Sequence, residues 1–404
     1  MGASVKRLLV VFVGLIALTV GIVIAWYSAR QDGEFQRLIA AGNAALAQDE
    51  TYGAIEAFSG ALALRNDSML AYLKRGDAYR RRGELNAALR DLREAAALDP
   101  AAPRPVELLG DVNAAMGRHD QAAELYRGFT QLDDRSPRVL YKLGLAYYRN
   151  GQPAEAIAPL ESAVALDPRL VEAYYLLAMC LRQQPDDEGA YRSLARAVEL
   201  DAAFVPAREE LAVLHADAGR QREAIEQLEA LAALEPTRPE RLVAVGLEYA
   251  RWGRTDTAIL TLGRAAERFT DNVAVYTALG RVWLSVAEQR NDRVALGKAI
   301  EALQPRAIAQ GASSETLTLY GRAVFLSGNA AAAERVLADA TAQTPVDPMA
   351  FRFLADAAER AGHAAAARDA LLRYAALVSR EDLDPAVAER IERLQRRIKG
   401  SGVI

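Results

Sequence analysis

Small apolar residues recur at fixed intervals along most of this chain, in register with larger apolar residues. A small residue occurs every 34 positions, and each interval of 34 residues is called a unit. The series consists of Gly42, Gly76, Gly110, Gly144, Ala178, Ala212, Gly246 and Gly280. A second small series lies twelve positions later and is followed after four more by a larger apolar residue, as in Ala88 and Leu92. Positions four apart share a helix face. The pattern predicts two helices per unit, packed closely where small residues face large ones.

Turn signals separate these predicted helices. Gly83, Gly117 and Gly151 fall between the two helices of their units, where a glycine permits backbone conformations that other residues avoid. Pro100 and Pro168 close two of the units, because proline cannot continue a helix. Each unit is therefore predicted to be a helix–turn–helix whose apolar face is covered by the next unit.

One unit shows the full pattern. Between residues 71 and 100 it consists of Tyr72, Gly76, Tyr79, Gly83, Ala88, Leu92, Ala95 and Pro100. This arrangement resembles the tetratricopeptide repeat. The resemblance covers about residues 35–381 and implies an all-α, right-handed superhelical solenoid of about ten helix–turn–helix repeats. It also implies a non-catalytic protein that binds protein or peptide partners.

The end of the array departs from the regular spacing. Seven residues are inserted after Gly280, which makes the eighth repeat, 273–313, irregular. If its second-helix positions are Ala295, Ala299 and Ala302, about three extra residues fall in its turn and four in its exit. Residues 382–404 are predicted to form a capping helix and tail, with an apolar stripe of Val387, Ile391, Leu394 and Ile398.

The N-terminal region contains a charge-free run from 8 to 27. Twenty helical residues at about 1.5 Å each span the apolar core of a bilayer. The run therefore predicts a transmembrane anchor between a short N-terminus, 1–7, and a linker, 28–34. The anchor residues singled out are Leu8, Phe12, Leu15, Trp26 and Tyr27. A cleaved signal peptide is the alternative, although the run is long for one.

Basic residues beside this run predict an orientation. Lys6 and Arg7 with the amino terminus outweigh Arg30 and Arg37, which favours 1–7 in the cytoplasm. We therefore expect a single-pass protein of the bacterial inner membrane, with its repeats in the periplasm.

Composition and motifs point away from catalysis and from nucleic acid. The net charge of −4 does not suit a nucleic-acid partner. The only cysteine, Cys180, excludes an intrachain disulfide and a multi-cysteine metal site. No phosphate loop, dinucleotide fingerprint or hydrolase motif is present. We expect no enzyme activity, no cofactor, no metal and no small-molecule substrate. The acidic stretch 185–189 is interpreted as a turn, with calcium binding as the alternative.

The family resemblance implies that the first helices of the repeats line a concave groove. At the groove positions, repeats two and three carry charged side chains, namely Lys74, Asp77, Arg80, Glu107 and Asp111. Repeats four and five instead carry Tyr141, Leu145, Tyr148, Tyr175 and Met179. These five are the predicted partner-binding residues, since aromatic side chains anchor many interfaces. The alternative is that they pack on one another or on neighbouring repeats.

Some tetratricopeptide proteins hold a terminal carboxylate in a clamp of Lys, Asn and Arg residues. Asn43 fits that pattern, but Ile39 replaces the expected Lys, and the matching places of the third repeat hold Arg104 and Leu108. The clamp is therefore broken, and a chaperone-tail receptor is not expected. Two functions remain. The first is a membrane-anchored scaffold of an envelope assembly for secretion, pili, polysaccharide export or cytochrome maturation. The second is a regulatory or accessory subunit of a membrane enzyme complex.

Overall fold

The chain folds into α-helices throughout the region described. A computed structural model describes residues 3–379 and 383–400, and within these ranges all regular secondary structure is helical. Consecutive helices of the described region pack in ten pairs, from α1 with α2 to α19 with α20. A further helix, α21, follows the last pair. The all-α repeat fold is thus confirmed. The chain divides into two compact units, Met1–Ala202 and Ala203–Ile404.

The first unit holds ten helices among its described residues. They are α1 Ala3–Ala47, α2 Thr51–Leu64, α3 Met69–Arg81, α4 Leu85–Leu98, α5 Pro103–Ala115, α6 His119–Leu132, α7 Pro137–Arg149, α8 Pro153–Leu166, α9 Val171–Gln183 and α10 Asp187–Leu200. Within each pair the two helices pack along their length, and α2, α4, α6 and α8 each also contact the first helix of the next pair.

The second unit holds the remaining helices. They are α11 Val205–Asp217, α12 Gln221–Leu234, α13 Pro239–Arg251, α14 Thr255–Arg268, α15 Val273–Arg290, α16 Arg293–Ala307, α17 Ser314–Leu326, α18 Ala330–Thr341, α19 Pro348–Ala361, α20 Ala364–Leu377 and α21 Pro385–Gly400.

The small residue of each first helix faces the large apolar residue of its partner. A methyl group added to Gly144 would lie 2.5 Å from Cγ of Leu160, which is fully buried. The same pairing joins Gly76 to Leu92, and Gly246 to Leu262. A side chain at these glycines would therefore push the two helices of the pair apart.

Glycine also sets the turns inside the pairs. Gly83, Gly117 and Gly151 have φ of 78°, 74° and 75°, in the left-handed region where a Cβ is disfavoured. These values confirm the turn role that their spacing predicts.

The N-terminal prediction of a membrane anchor is wrong. Across the described part of the chain, no helix combines the length and the apolar character needed to cross a membrane. The expected inner-membrane location is overturned with it. Instead of ending near residue 27, α1 runs on through 28–34, the predicted linker, and Phe35, Ile39 and Leu46 pack against α2. Of the five anchor residues, Phe12, Leu15, Trp26 and Tyr27 are exposed on α1, and the side chain of Leu8 lies outside the described region.

The insertion in the eighth repeat lengthens a helix. α15 has 18 residues where α13 has 13, and only Asn291 and Asp292 separate it from α16. Asn291 ends α15 with φ of 49°, and the Asp292 carboxylate accepts from two backbone N–H groups of α16. Five of the seven extra residues extend α15, which has 18 residues against 13 in α13, and the turn is not lengthened. Ala295, Ala299 and Ala302 are buried as expected, but the predicted register is wrong. Leu303 faces Gly280 as Leu262 faces Gly246, so the extra residues all precede Leu303 and none lies in the exit.

Candidate partner-binding surface

The first helices of the central repeats in the first unit form one layer. α3 contacts α5, and α7 contacts α9, while the second helices lie in the layer behind. We call the exposed side of α3, α5, α7 and α9 the first-helix face. All five predicted binding residues lie on α7 and α9, in a part of this face that we call the aromatic strip: Tyr141, Leu145, Tyr148, Tyr175 and Met179.

Local sequence explains how α7 presents its part of the strip. Ser136 caps the helix by accepting from the N–H of Val139, and Pro137 occupies the first helical position. Leu143 and Gly144 are buried against the second-helix layer. The strip residues of α7 are spaced i, i+4 and i+7, so they share a face beside that buried one.

The aromatic strip is neither fully exposed nor part of the core. All five of its side chains are half-buried. Tyr141, Leu145 and Tyr148 pack against the core cluster that Leu160 and Leu176 help to form. The structure thus places the predicted residues on one face and gives three of them a packing role as well.

The phenol of Tyr141 is affected by burial and by a carboxylate on the neighbouring helix α9. Burial raises the pKa of this phenol, and the negative charge of Glu172 on α9 raises that pKa further. The hydroxyl therefore stays protonated at neutral pH and can donate a hydrogen bond.

A network of charged side chains occupies the α5 end of the same face. Lys142 Nζ donates to Glu107 Oε1 at 2.7 Å and to Asp111 Oδ2 at 2.9 Å, which ties α7 to α5. The Tyr126 hydroxyl, from α6, donates to Asp111 Oδ1 at 2.8 Å. Arg104 pairs with the other oxygen of Glu107. Burial opposes ionisation of Glu107, but Lys142 and Arg104 outweigh it and lower its pKa.

These charged residues border a cavity of about 300 Å³. Its lining consists of Arg80, Arg104, Glu107, Asp111, Ala114, Tyr126, Arg138 and Lys142. We call it the arginine cavity. Sequence reasoning passed over Arg138 and Lys142, although Arg138 lies 34 positions after Arg104 and so occupies the equivalent place in the next repeat.

The remaining sequence predictions concern chemistry. Cys180 is fully buried, and burial raises its pKa to about 11, so the thiol is not a nucleophile at neutral pH. Within the described ranges, no group of three or more His, Cys, Asp or Glu side chains could hold a metal ion. The expected absence of enzyme activity remains a prediction.

Two family models match this chain. Residues 321–385 match the tetratricopeptide repeat, and residues 30–210 match the model described as Cilia and flagella-associated protein 70 C-terminal domain. The helix pairs described above agree with these matches, which support a protein of the tetratricopeptide repeat type. No curated protein matches the chain.

Several solved structures resemble part of the chain. One is YrrB, described as a TPR protein with an unusual peptide-binding site, which is 23% identical over 45% of this chain and 94% of its own, with a TM-score of 0.42. Another is PilF of Pseudomonas aeruginosa, 21% identical over 52% of this chain and 96% of its own, with a TM-score of 0.41. A tetratricopeptide repeat protein of Parabacteroides merdae is 15% identical over 62% of this chain and 99% of its own, with a TM-score of 0.44.

Proposed function

We propose that this protein is a scaffold that binds a peptide or helical segment of its partners on the aromatic strip. The observation that carries the proposal is the strip itself, five half-buried apolar or aromatic side chains side by side on α7 and α9. Because no described helix can span a membrane, the proposal concerns binding alone and includes no envelope location.

The energetics of the strip favour this use. Aromatic side chains bury a large apolar area in a rigid group, and those at interface centres commonly contribute about 2 kcal/mol or more. Three strip residues are already held by the core cluster behind α7, so a partner would lose little entropy in ordering them. The hydroxyl groups of the strip tyrosines add hydrogen-bonding capacity at the edge of an apolar contact.

The test begins with a displayed library of random peptides selected on the immobilised full chain. Enriched peptides are then synthesised with a fluorescent label and titrated by anisotropy. The double variant Tyr148→Ala/Tyr175→Ala should weaken binding by about tenfold or more. Tyr52→Ala is the matched control, since Tyr52 is 73% exposed on α2, away from the first-helix face, and its loss should not change the affinity.

Circular dichroism on the same variants distinguishes binding from packing. Intact helicity with unchanged affinity would show that partners bind elsewhere. Lost helicity would show that the tyrosines serve packing. A photo-reactive group on the enriched peptide gives a second measurement that needs no substitution. Cross-links to α7 and α9 of the unaltered chain are expected, and cross-links confined to other helices, or a library without enriched peptides, would refute the proposal.

A further inference from the structure

The arginine cavity carries more cations than its own carboxylates neutralise. Four cationic side chains line it, against the two carboxylates Glu107 and Asp111. Lys142 binds both carboxylates, and Asp77 just outside pairs with Arg80 at 2.7 Å and Arg81 at 3.1 Å. Counting these neighbours leaves the cavity cationic, although the chain as a whole has a net charge of −4.

Arg138 is the clearest source of the excess charge. It is exposed at the start of α7, and no ion pair or hydrogen bond of its side chain occurs among the described residues. Arg104 pairs with Glu107, a carboxylate that also accepts from Lys142, and the Arg104 side chain is still 55% exposed. A guanidinium has five N–H donors in a planar fork, so both arginines keep donors directed at solvent.

The cavity lies beside the aromatic strip. Arg138 precedes Tyr141 by three residues, and Lys142 follows it directly, so the two surfaces meet within one turn of α7. A segment that covers Tyr141 and continues towards α5 must therefore pass over the arginines. An apolar partner residue over Arg104 and Arg138 would remove water from their guanidinium groups without replacing its hydrogen bonds. A partner carboxylate would instead accept bidentate hydrogen bonds from these guanidinium groups.

We propose that the segment bound by the aromatic strip carries Asp or Glu residues beside its apolar anchors, and that Arg104 and Arg138 receive their carboxylates. This inference rests on the proposed function of the strip. It goes further by naming the partner's chemistry, an acidic and apolar peptide segment, and by giving the cavity a role in selecting it. Opposite charges at the edge of an interface accelerate association and discriminate against basic competitors.

The enriched peptides of the display selection provide the test. We expect Asp and Glu to be over-represented next to aromatic or aliphatic residues. Exposed ion pairs contribute about 1 kcal/mol or less each, but placing like charges opposite each other costs more, so Arg104→Glu/Arg138→Glu should weaken binding about tenfold. Affinity for the unaltered chain should also fall as salt is added.

The matched control reverses two charges on the opposite layer. Arg90 and Arg93 are exposed on α4, so Arg90→Glu/Arg93→Glu changes the net charge equally and should leave affinity unchanged. Arg138→Glu alone is a second variant that breaks no ion pair of the described residues, and it should keep the fold and still weaken binding. Circular dichroism on each variant checks the fold.

The outcomes separate this inference from the function on which it rests. Enriched peptides without acidic residues, or equal losses from both charge-reversed pairs, would overturn the inference and leave the binding role of the strip intact. The same holds if Arg138→Glu has no effect while Tyr148→Ala/Tyr175→Ala abolishes binding. If no peptide is enriched, or if the tyrosine variant binds normally, the proposed function fails and the inference fails with it.

Discussion

The α3–α5 and α7–α9 parts of the first-helix face have the same repeat geometry and opposite chemistry. Glu107 and Tyr141 occupy equivalent positions 34 residues apart, as do Asp111 and Leu145. Glu107 is buried and satisfied by Arg104 and Lys142. Tyr141 and Leu145 are half-buried and keep apolar surface towards solvent. The repeat backbone thus decides where a side chain lies. The chemistry of that side chain decides whether it is paired by residues of neighbouring repeats or remains open to a partner.

The largest expected effect tests whether the α7–α9 part depends on small residues in the core behind the aromatic strip. Ala156 is fully buried on α8 behind the strip. Ala156→Arg would overfill this site and bury a charge, so it should cost several kcal/mol of unfolding free energy. The urea midpoint, followed by circular dichroism, measures the loss.

Ala158 supplies the control on the same helix. It is exposed, so Ala158→Arg should change stability by less than about 0.5 kcal/mol. If Ala156→Arg unfolds at the same urea concentration as the unaltered chain, the fourth repeat is out of register with the core described above.

The second-largest expected effect tests whether the charged side chains of the α3–α5 part are stabilised by their ion pairs. Lys142→Met would leave Glu107 and Asp111 without the amine that both accept from, in a site where the Lys142 side chain is only 17% exposed. Breaking a buried pair is strongly destabilising, and with the partial exposure discounted we expect a loss of about 2–3 kcal/mol. Lys74→Met on α3 is the control, because no ion pair of Lys74 occurs among the described residues.

The pH dependence of this loss has a definite sign. The folded-state pKa of Glu107 lies below its ordinary value of 4.5, so its contribution is present above that value and is lost as pH falls through the lowered pKa. The stability gap between the unaltered chain and Lys142→Met should therefore be widest near neutral pH and narrow as the pH falls below 4.5. A gap that stays constant over this range would mean that lost packing, and not lost charge, causes the effect.

The smallest effect compares two glycines in adjacent repeats. Gly144→Ala would place a methyl group 2.5 Å from Leu160 Cγ and should cost about 1–2 kcal/mol, while the added methyl of Gly128→Ala meets nothing within 4 Å. Gly128 lies inside α6, so its replacement should instead stabilise by about 0.5–1 kcal/mol. Urea titrations of the two variants measure the sign of each change in unfolding free energy. A stabilising Gly144→Ala would show that α7 and α8 have room between them.

Sequence alone determined the repeating parts of this protein. The small series at Gly76 and Gly144, the large residues opposite them and the turn glycines such as Gly83 were all predictable, because they depend on contacts inside one unit that recur every 34 positions. The C-terminal capping helix was predictable from its own apolar stripe, and Val387 and Leu394 of that stripe are buried as their spacing indicates.

Only the tertiary structure decided what depends on particular neighbours. The apolar run near the N-terminus belongs to a long helix that continues into the first repeat, and periodicity could not reveal that continuity. The insertion lengthens α15 because Asn291 and Asp292 end one helix and cap the next. The network of Lys142, Glu107 and Asp111 joins side chains more than thirty residues apart, and only the stacking of α7 on α5 brings them within hydrogen-bond distance. Repetition specifies the scaffold, whereas the contacts between non-equivalent side chains of successive repeats specify its surface.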